Sequence, residues 1–128
     1  MEYKGRYMIP RPQGNETCVT HNGQMIPVTD GRYLASVAYY QGGTTVVDFT
    51  DPANPREIAY TDAANSDTWS AYWYNGFVFA NGGLHRDGRE NPGFEVYRVT
   101  DEDGRPLRTR NWHHLNPQTQ EGFQETGR

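Results

Sequence analysis

The sequence predicts an all-β chain of antiparallel, blade-like sheets, and three observations carry that expectation. Glycine and proline are frequent, 14 and 8 of 128 residues, as many turns between short strands require. Short runs of β-branched and aromatic residues alternate with those turns, and no stretch of ten or more residues has a helical period. One turn-and-strand pattern also occurs twice.

Residues 1–24 read as an irregular lead-in, polar and rich in glycine and proline. Met25-Ile26-Pro27-Val28 is a short apolar run ended by the turn Thr29-Asp30-Gly31. Strands are expected at 33–40 and 44–49, joined by Gln41-Gly42-Gly43. Asp51-Pro52-Ala53-Asn54-Pro55 forbids both helix and strand, because its prolines lack the N–H and its Asx side chains favour turns. Asp48 is expected to bond turn amides near 52–54. Further strands are expected at 56–60, 69–74, 77–80 and 94–99. Asn75-Gly76 between aromatic runs is a strong hairpin signal. Residues 100–128 read as an irregular tail with Leu107, Trp112, Leu115 and Phe123 as apolar anchors.

In the repeat, Gly31-Arg32-Tyr33-Leu34 matches Gly76-Phe77-Val78-Phe79 at an offset of 45. Gly43 to Phe49 matches Gly93 to Val99 at an offset of 50, the extra residues falling in the loop His85 to Glu90. A period of 45 to 50 lies in the range of propeller blades, about 40–50 residues each. The repeats are therefore placed at about 25–62 and 67–99. Thr44 to Phe49 and Trp69 to Tyr74 are apolar on both faces, as strands covered on both sides by neighbouring blades would be.

Gly42-Gly43-Thr44-Thr45-Val46-Val47-Asp48-Phe49-Thr50-Asp51-Pro52-Ala53-Asn54-Pro55 runs from paired glycines through an apolar strand with Asp to Asp-Pro-x-x-Pro. By this segment the sequence, over about residues 18–120, resembles the C-terminal portion of the LVIVD-repeat family, a bacterial β-propeller-like group, with Asp67 to Gly76 similar to a last blade. The second copy departs from the pattern: Thr100-Asp101-Glu102-Asp103 follows Val99 without Pro-x-x-Pro, as a terminal repeat would. The resemblance implies a propeller used as an interaction or scaffold surface, without catalysis, whose full-length relatives are secreted or at the cell surface. An alternative is a hydrolase-like propeller enzyme whose site is completed by missing blades. Two copies cannot close a ring of about four to eight blades, so the chain is expected to be a fragment, completed by remaining blades or by self-association. The faces expected to be left open carry Val46, Phe49, Tyr72, Trp73, Phe77, Phe79 and Tyr97.

The net charge of -4 argues against nucleic acid as a partner, and no run of 18 apolar residues could span a membrane as a helix. Met1 to Met8 holds Glu2, Lys4 and Arg6 and does not read as a signal peptide. Cys18 is the single cysteine: a small buried residue, a free thiol, or half of a bridge to an absent partner.

No cofactor, metal or catalytic residue is expected. His21, His85, His113 and His114 lack the spacing of a ligand set, and Asp101-Glu102-Asp103-Gly104 lacks the alternation of a calcium loop. Cys18 and His21 sit too close in sequence for a dyad of the usual kind. The candidate binding platform is Trp69, Tyr72, Trp73 and Tyr74, able to stack on a glycan or a protein partner, against which stands ordinary blade packing. Asp48, Asp51, Pro52, Asn54 and Pro55 are assigned a structural turn.

Overall fold

The computed structural model describes residues 1–11, 13–63, 66–82, 93–112 and 123–124. The fold is all-β, and none of these residues is helical. Seven strands form one curled sheet: β1 (Asn22–Ile26), β2 (Leu34–Ala38), β3 (Thr44–Asp48), β4 (Arg56–Thr61), β5 (Thr68–Tyr74), β6 (Phe77–Gly82) and β7 (Phe94–Arg98). The order across the sheet is β4-β3-β2-β1-β5-β6-β7, bent into a half-barrel. Two-residue strands β8 (Asn111–Trp112) and β9 (Phe123–Gln124) pair separately. The expected loop at 85–90 and His113, His114 and Leu115 lie outside the described residues.

Two meanders run outward from the middle of the sheet. Their turns follow from residue type. Asn75 and Gly76 both have positive φ, 43° and 95°, as a two-residue hairpin of the favoured twist demands. The β2–β3 turn uses Tyr40 at φ 45° and Gly43 at φ 72°. Tyr40 is held in this uncommon conformation by reciprocal backbone bonds with Thr68, both 2.9 Å.

The sheet is mixed, which corrects the expectation of antiparallel pairing throughout. β1 lies parallel to β5, with Asn22 opposite Ser70 and Gly23 opposite Ala71. The reason is the link after β4. It starts at one edge and must deliver β5 beside β1, four strand spacings away, or about 19 Å across a flat sheet. Residues 62–67 can reach about 20–22 Å when fully extended, barely that distance, so the short link suits a sheet that curls.

The concave side holds the core: Ile26, Leu34, Ala38, Val46, Ala71, Trp73 and Val78, with Tyr97, Val99 and Leu107 packed against them. Residues 105–110 return to the β1 end, where Thr29 N–H donates to the Arg108 carbonyl at 3.0 Å and Arg110 N–H to the Pro27 carbonyl at 2.9 Å.

The chain before β1 covers the opposite side. Residues 4–7 face Ala35, Val37 and Val47 of β2 and β3, and Tyr7 meets the Tyr39 ring edge-on at 6.1 Å. We call residues 3–11 the strap. Covered by the core on one side and the strap on the other, every residue of β3 is buried.

A side chain at Gly43 would meet the Thr61 carbonyl oxygen at 2.0 Å in addition to its positive φ. Gly31, at φ +87°, faces open space. Gly31→Ala should therefore cost about 1 kcal/mol through backbone strain alone, and Gly43→Ala about 3 kcal/mol or more, since β3 and β4 must also part. Urea midpoints of the two variants check this ordering; equal losses would contradict it.

Candidate functional site

The aromatic run of β5 is divided by the strand itself. Side chains alternate, so Ala71 and Trp73 enter the core, where Trp73 is 1 % exposed. Tyr72 and Tyr74 are half-buried; Tyr72 alternates to the other face, while Tyr74, at the end of the strand, packs against the core. Trp69 sits at a bulge, where pairing jumps from Thr68–Gly82 to Ser70–Asn81. It is 44 % exposed and packs with His21 at 5.5 Å and Tyr40 at 5.8 Å. His21 Nδ1 lies 2.5 Å from the Trp69 carbonyl oxygen. The four residues of the candidate platform thus occupy three environments.

A larger aromatic surface lies on the outer face of β5–β7. Across the strands, Tyr72 is opposite Phe79 and Phe79 opposite Val96; Tyr74 is opposite Phe77, and Phe77 opposite Arg98. The Phe77 and Phe79 rings are 6.4 Å apart, and those of Phe79 and Phe94 5.9 Å. Arg98 lays its guanidinium over Phe77, 4.9 Å from the ring centroid. Phe94 is 66 % exposed and Val96 52 %. Sequence reading missed these two residues. The signal was the alternation of 94–98, which puts Phe94 and Val96 on one face and Glu95 and Tyr97 on the other. Of the residues expected on open faces, Val46 and Trp73 are in the core and Tyr97 packs against it.

The two copies of the repeat turn opposite faces inward. Leu34 and Val46 belong to the core, whereas their counterparts Phe79 and Val96 lie on the outer face. Conversely, Ala35 and Val47 face the strap, whereas their counterparts Ala80 and Tyr97 face the core. The register of β6 on β7 differs by two residues from that of β2 on β3, which keeps every side chain on its face.

The outer face of β2–β4 is closed by a charge network. Glu57 accepts from Tyr7 at 2.6 Å and Arg11 at 2.5 Å, and also from Thr45. Arg11 also reaches Asp62 at 3.2 Å and the Gly42 carbonyl at 3.2 Å, and its guanidinium stacks 4.0 Å over the Tyr60 ring. Burial pushes the Glu57 carboxyl up, but the hydrogen bonds from Thr45, Tyr7 and Arg11 outweigh it and hold the group below the usual glutamate range. Burial, with the Glu57 bond, raises the Tyr7 phenol.

The proline turn is structural and uses its acids locally. Asp51 accepts from the Ala53 amide at 3.0 Å and the Asn54 amide group at 2.8 Å. Asp48 instead caps Thr50, through its N–H at 3.0 Å and its hydroxyl at 2.6 Å, so the bonding expected of Asp48 at residues 52–54 is made by Asp51. The strap passes this turn so closely that a Cβ on Gly5 would lie 2.3 Å from the Pro52 carbonyl oxygen, and Pro55 helps line the gap beneath it.

Burial, with Glu16 and Asp62 nearby, raises the Cys18 thiol and disfavours the thiolate a nucleophile needs. Among the described residues no three His, Cys, Asp or Glu side chains converge as a ligand set, and no helix is long and apolar enough to cross a membrane.

Two outcomes follow. Trp73→Ala should cost about 3–5 kcal/mol, the usual range for an emptied core aromatic, and Trp69→Ala well under that; thermal melts would separate them, and equal costs would show a shared role. The strap should also respond to acid. A depressed Glu57 contributes stability that is present above the ordinary glutamate pKa of about 4.3 and is lost as pH falls through its folded value. The Tyr7 ring resonances, displaced by Tyr39, should therefore move to free-chain positions below about pH 4, with that titration absent in Glu57→Gln.

No protein-family model matches this chain, and neither a curated protein nor a solved structure matches it.

Proposed function

We propose that this chain is a non-catalytic interaction module, two successive units of a β-propeller-type repeat of the LVIVD-repeat kind, which presents the outer face of β5–β7 to a protein partner. The observation that carries this reading is the inversion of faces between the repeats. When units succeed one another by rotation about an axis along their first strands, each turns one face to its predecessor and the other to its successor. Equivalent residues then lie inside one junction and outside the next. Leu34 and Phe79, or Val46 and Val96, have this relation. The parallel β1/β5 seam supports it, because rotation about such an axis keeps first strands parallel and side by side.

A propeller unit at the end of a series leaves one apolar face without a neighbour, and a contiguous apolar patch such as exposed Phe94 and Val96 around half-buried Phe79 is the kind that marks interaction sites. The protein reading is favoured over a glycan because the platform is divided: Trp69 alone of its four residues is an exposed aromatic, and Trp73 is locked in the core. A propeller enzyme completed by further units would draw on the inner strands. There Ile26, Ala71 and Trp73 are given to packing.

An apolar fluorescent dye tests the reading on the full chain. The native protein should bind it, and Phe94→Ser with Val96→Asp should reduce that binding severalfold while far-ultraviolet circular dichroism is unchanged. A native chain that takes up no dye, or variants that bind it as well as the native chain, would overturn the proposal.

A further inference from the structure

Resting on that repeat reading, we propose that the outer face of β5–β7 docks a second copy of this chain, through the outer face of that copy's β2–β3, and that the strap is a displaceable cap over the second surface.

The complement of the aromatic face is legible within one chain. Leu34 and Val46 pack against the face of the second unit that carries Ala80 and Tyr97. Phe79 and Val96 are the equivalents of Leu34 and Val46, so they fit a face equivalent to that of Ala80 and Tyr97. In the first unit that face is Ala35 and Val47, and every copy carries it under its strap. Ala35 stands where Ala80 stands, a small residue that lets rings approach. Charge agrees: the docking face bears Arg98, and the receiving face bears Glu57, whose cation in the isolated chain is the strap's own Arg11. An incoming arginine can take the place of Arg11.

The strap is built to leave. Among the described residues no backbone hydrogen bond joins residues 1–11 to the sheet; its polar hold is through the side chains of Tyr7 and Arg11, beside the packing of Ile9 over Gly42. A gap of about 330 Å³ lies between the strap and Ala35, Val37 and Val47. The contact joins two different faces, so it propagates head to tail and either closes or grows into a fibre. If the two units of each chain count toward a ring of about four to eight, about two to four copies close it.

Sedimentation velocity of the full chain at high micromolar concentration tests this. The native chain should be a monomer. Arg11→Glu, which sets a third carboxylate beside Glu57 and Asp62, should free the Tyr7 resonances and shift the chain to assemblies of about two to four copies. Tyr7→Ala, which leaves the charges in place, should do the same if Arg11→Glu does not fold. Adding Val96→Asp to either variant, or excess synthetic peptide of residues 1–11, should restore the monomer. A strap-released variant that stays monomeric, assemblies that persist with Val96→Asp, or native assemblies formed with Tyr7 still against Tyr39 would each overturn the inference. If dye binding at Phe94 and Val96 survives while the released chain is monomeric, self-docking fails and the repeat reading stands; if dye binding is absent, the repeat reading itself fails.

Discussion

Two residue pairs, Asn22 with Ser70 and Gly23 with Ala71, join the halves of this protein into one sheet. A parallel ladder so short contributes little through its own hydrogen bonds, so side chains must hold it. Ser36, fully buried on β2, donates its hydroxyl across the seam to the Ala71 carbonyl at 2.7 Å. Gly23 is required between them, since a Cβ there would lie 2.3 Å from the Ser36 carbonyl oxygen. Beneath the seam Trp73 and Leu34 fill the concave side. At one end of it the Tyr40–Thr68 bridge ties the β2 turn to the start of β5. Curl, core and the relation between the repeats all depend on this junction.

From the seam outward the halves differ in what covers them. The first has two buried faces, one against the core and one under the strap, which explains how a strand reading Thr-Thr-Val-Val-Asp is buried throughout. Two of its polar members are satisfied locally: Thr45 on Glu57, and Asp48 on Thr50 with Arg56 at 3.4 Å. Those bonds outweigh the burial that would raise Asp48 and leave it below the usual aspartate range. The second half has one buried face. Its outer side offsets exposure partly through ring-to-ring contacts, each worth about 0.5–1.5 kcal/mol beyond area, and through the exposed Arg98 stack on Phe77, worth about 0.5–1 kcal/mol. That does not replace the burial of whole rings.

Much of the strand pattern was legible because it is local. Glycine, proline and Asx residues mark the turns, and period-two alternation with β-branched and aromatic residues marks β2, β3, β5, β6 and β7. β1 was only half legible: it begins at Asn22, ahead of the apolar run, and stops at Ile26 before Pro27, which has no N–H for a ladder. Its parallel partner was not legible, because pairing across 48 residues, Asn22 to Ser70, leaves no local trace. The strap was hidden for the same reason: Tyr7 and Glu57 are 50 residues apart. Register divides the candidate platform. Four aromatics within six residues read as a cluster, but alternation and the bulge at Trp69 send them three ways.

The half-barrel stops short of closing for a reason visible in its two free edges. β4 and β7 approach across the concave side, where Val46, Ala59, Val78 and Val99 line a cleft of about 160 Å³ that also holds the buried, unpartnered hydroxyl of Thr44. The edges do not pair. β4 is bulged at Ile58, since Val46 faces Ala59 while Val47 faces Glu57, and a bulge turns an edge out of register. β7 fills the gap with side chain instead of backbone: Tyr97 reaches toward Thr61 of β4, its hydroxyl raised to about 12 by burial and by its bond to Glu95. Both edges also carry charge, Arg56 and Glu57 on one, Glu95 and Arg98 on the other, which opposes further strand pairing. With edge growth opposed on both sides, the apolar surface left open on this half is a face, where half-buried Phe79 adjoins exposed Phe94 and Val96.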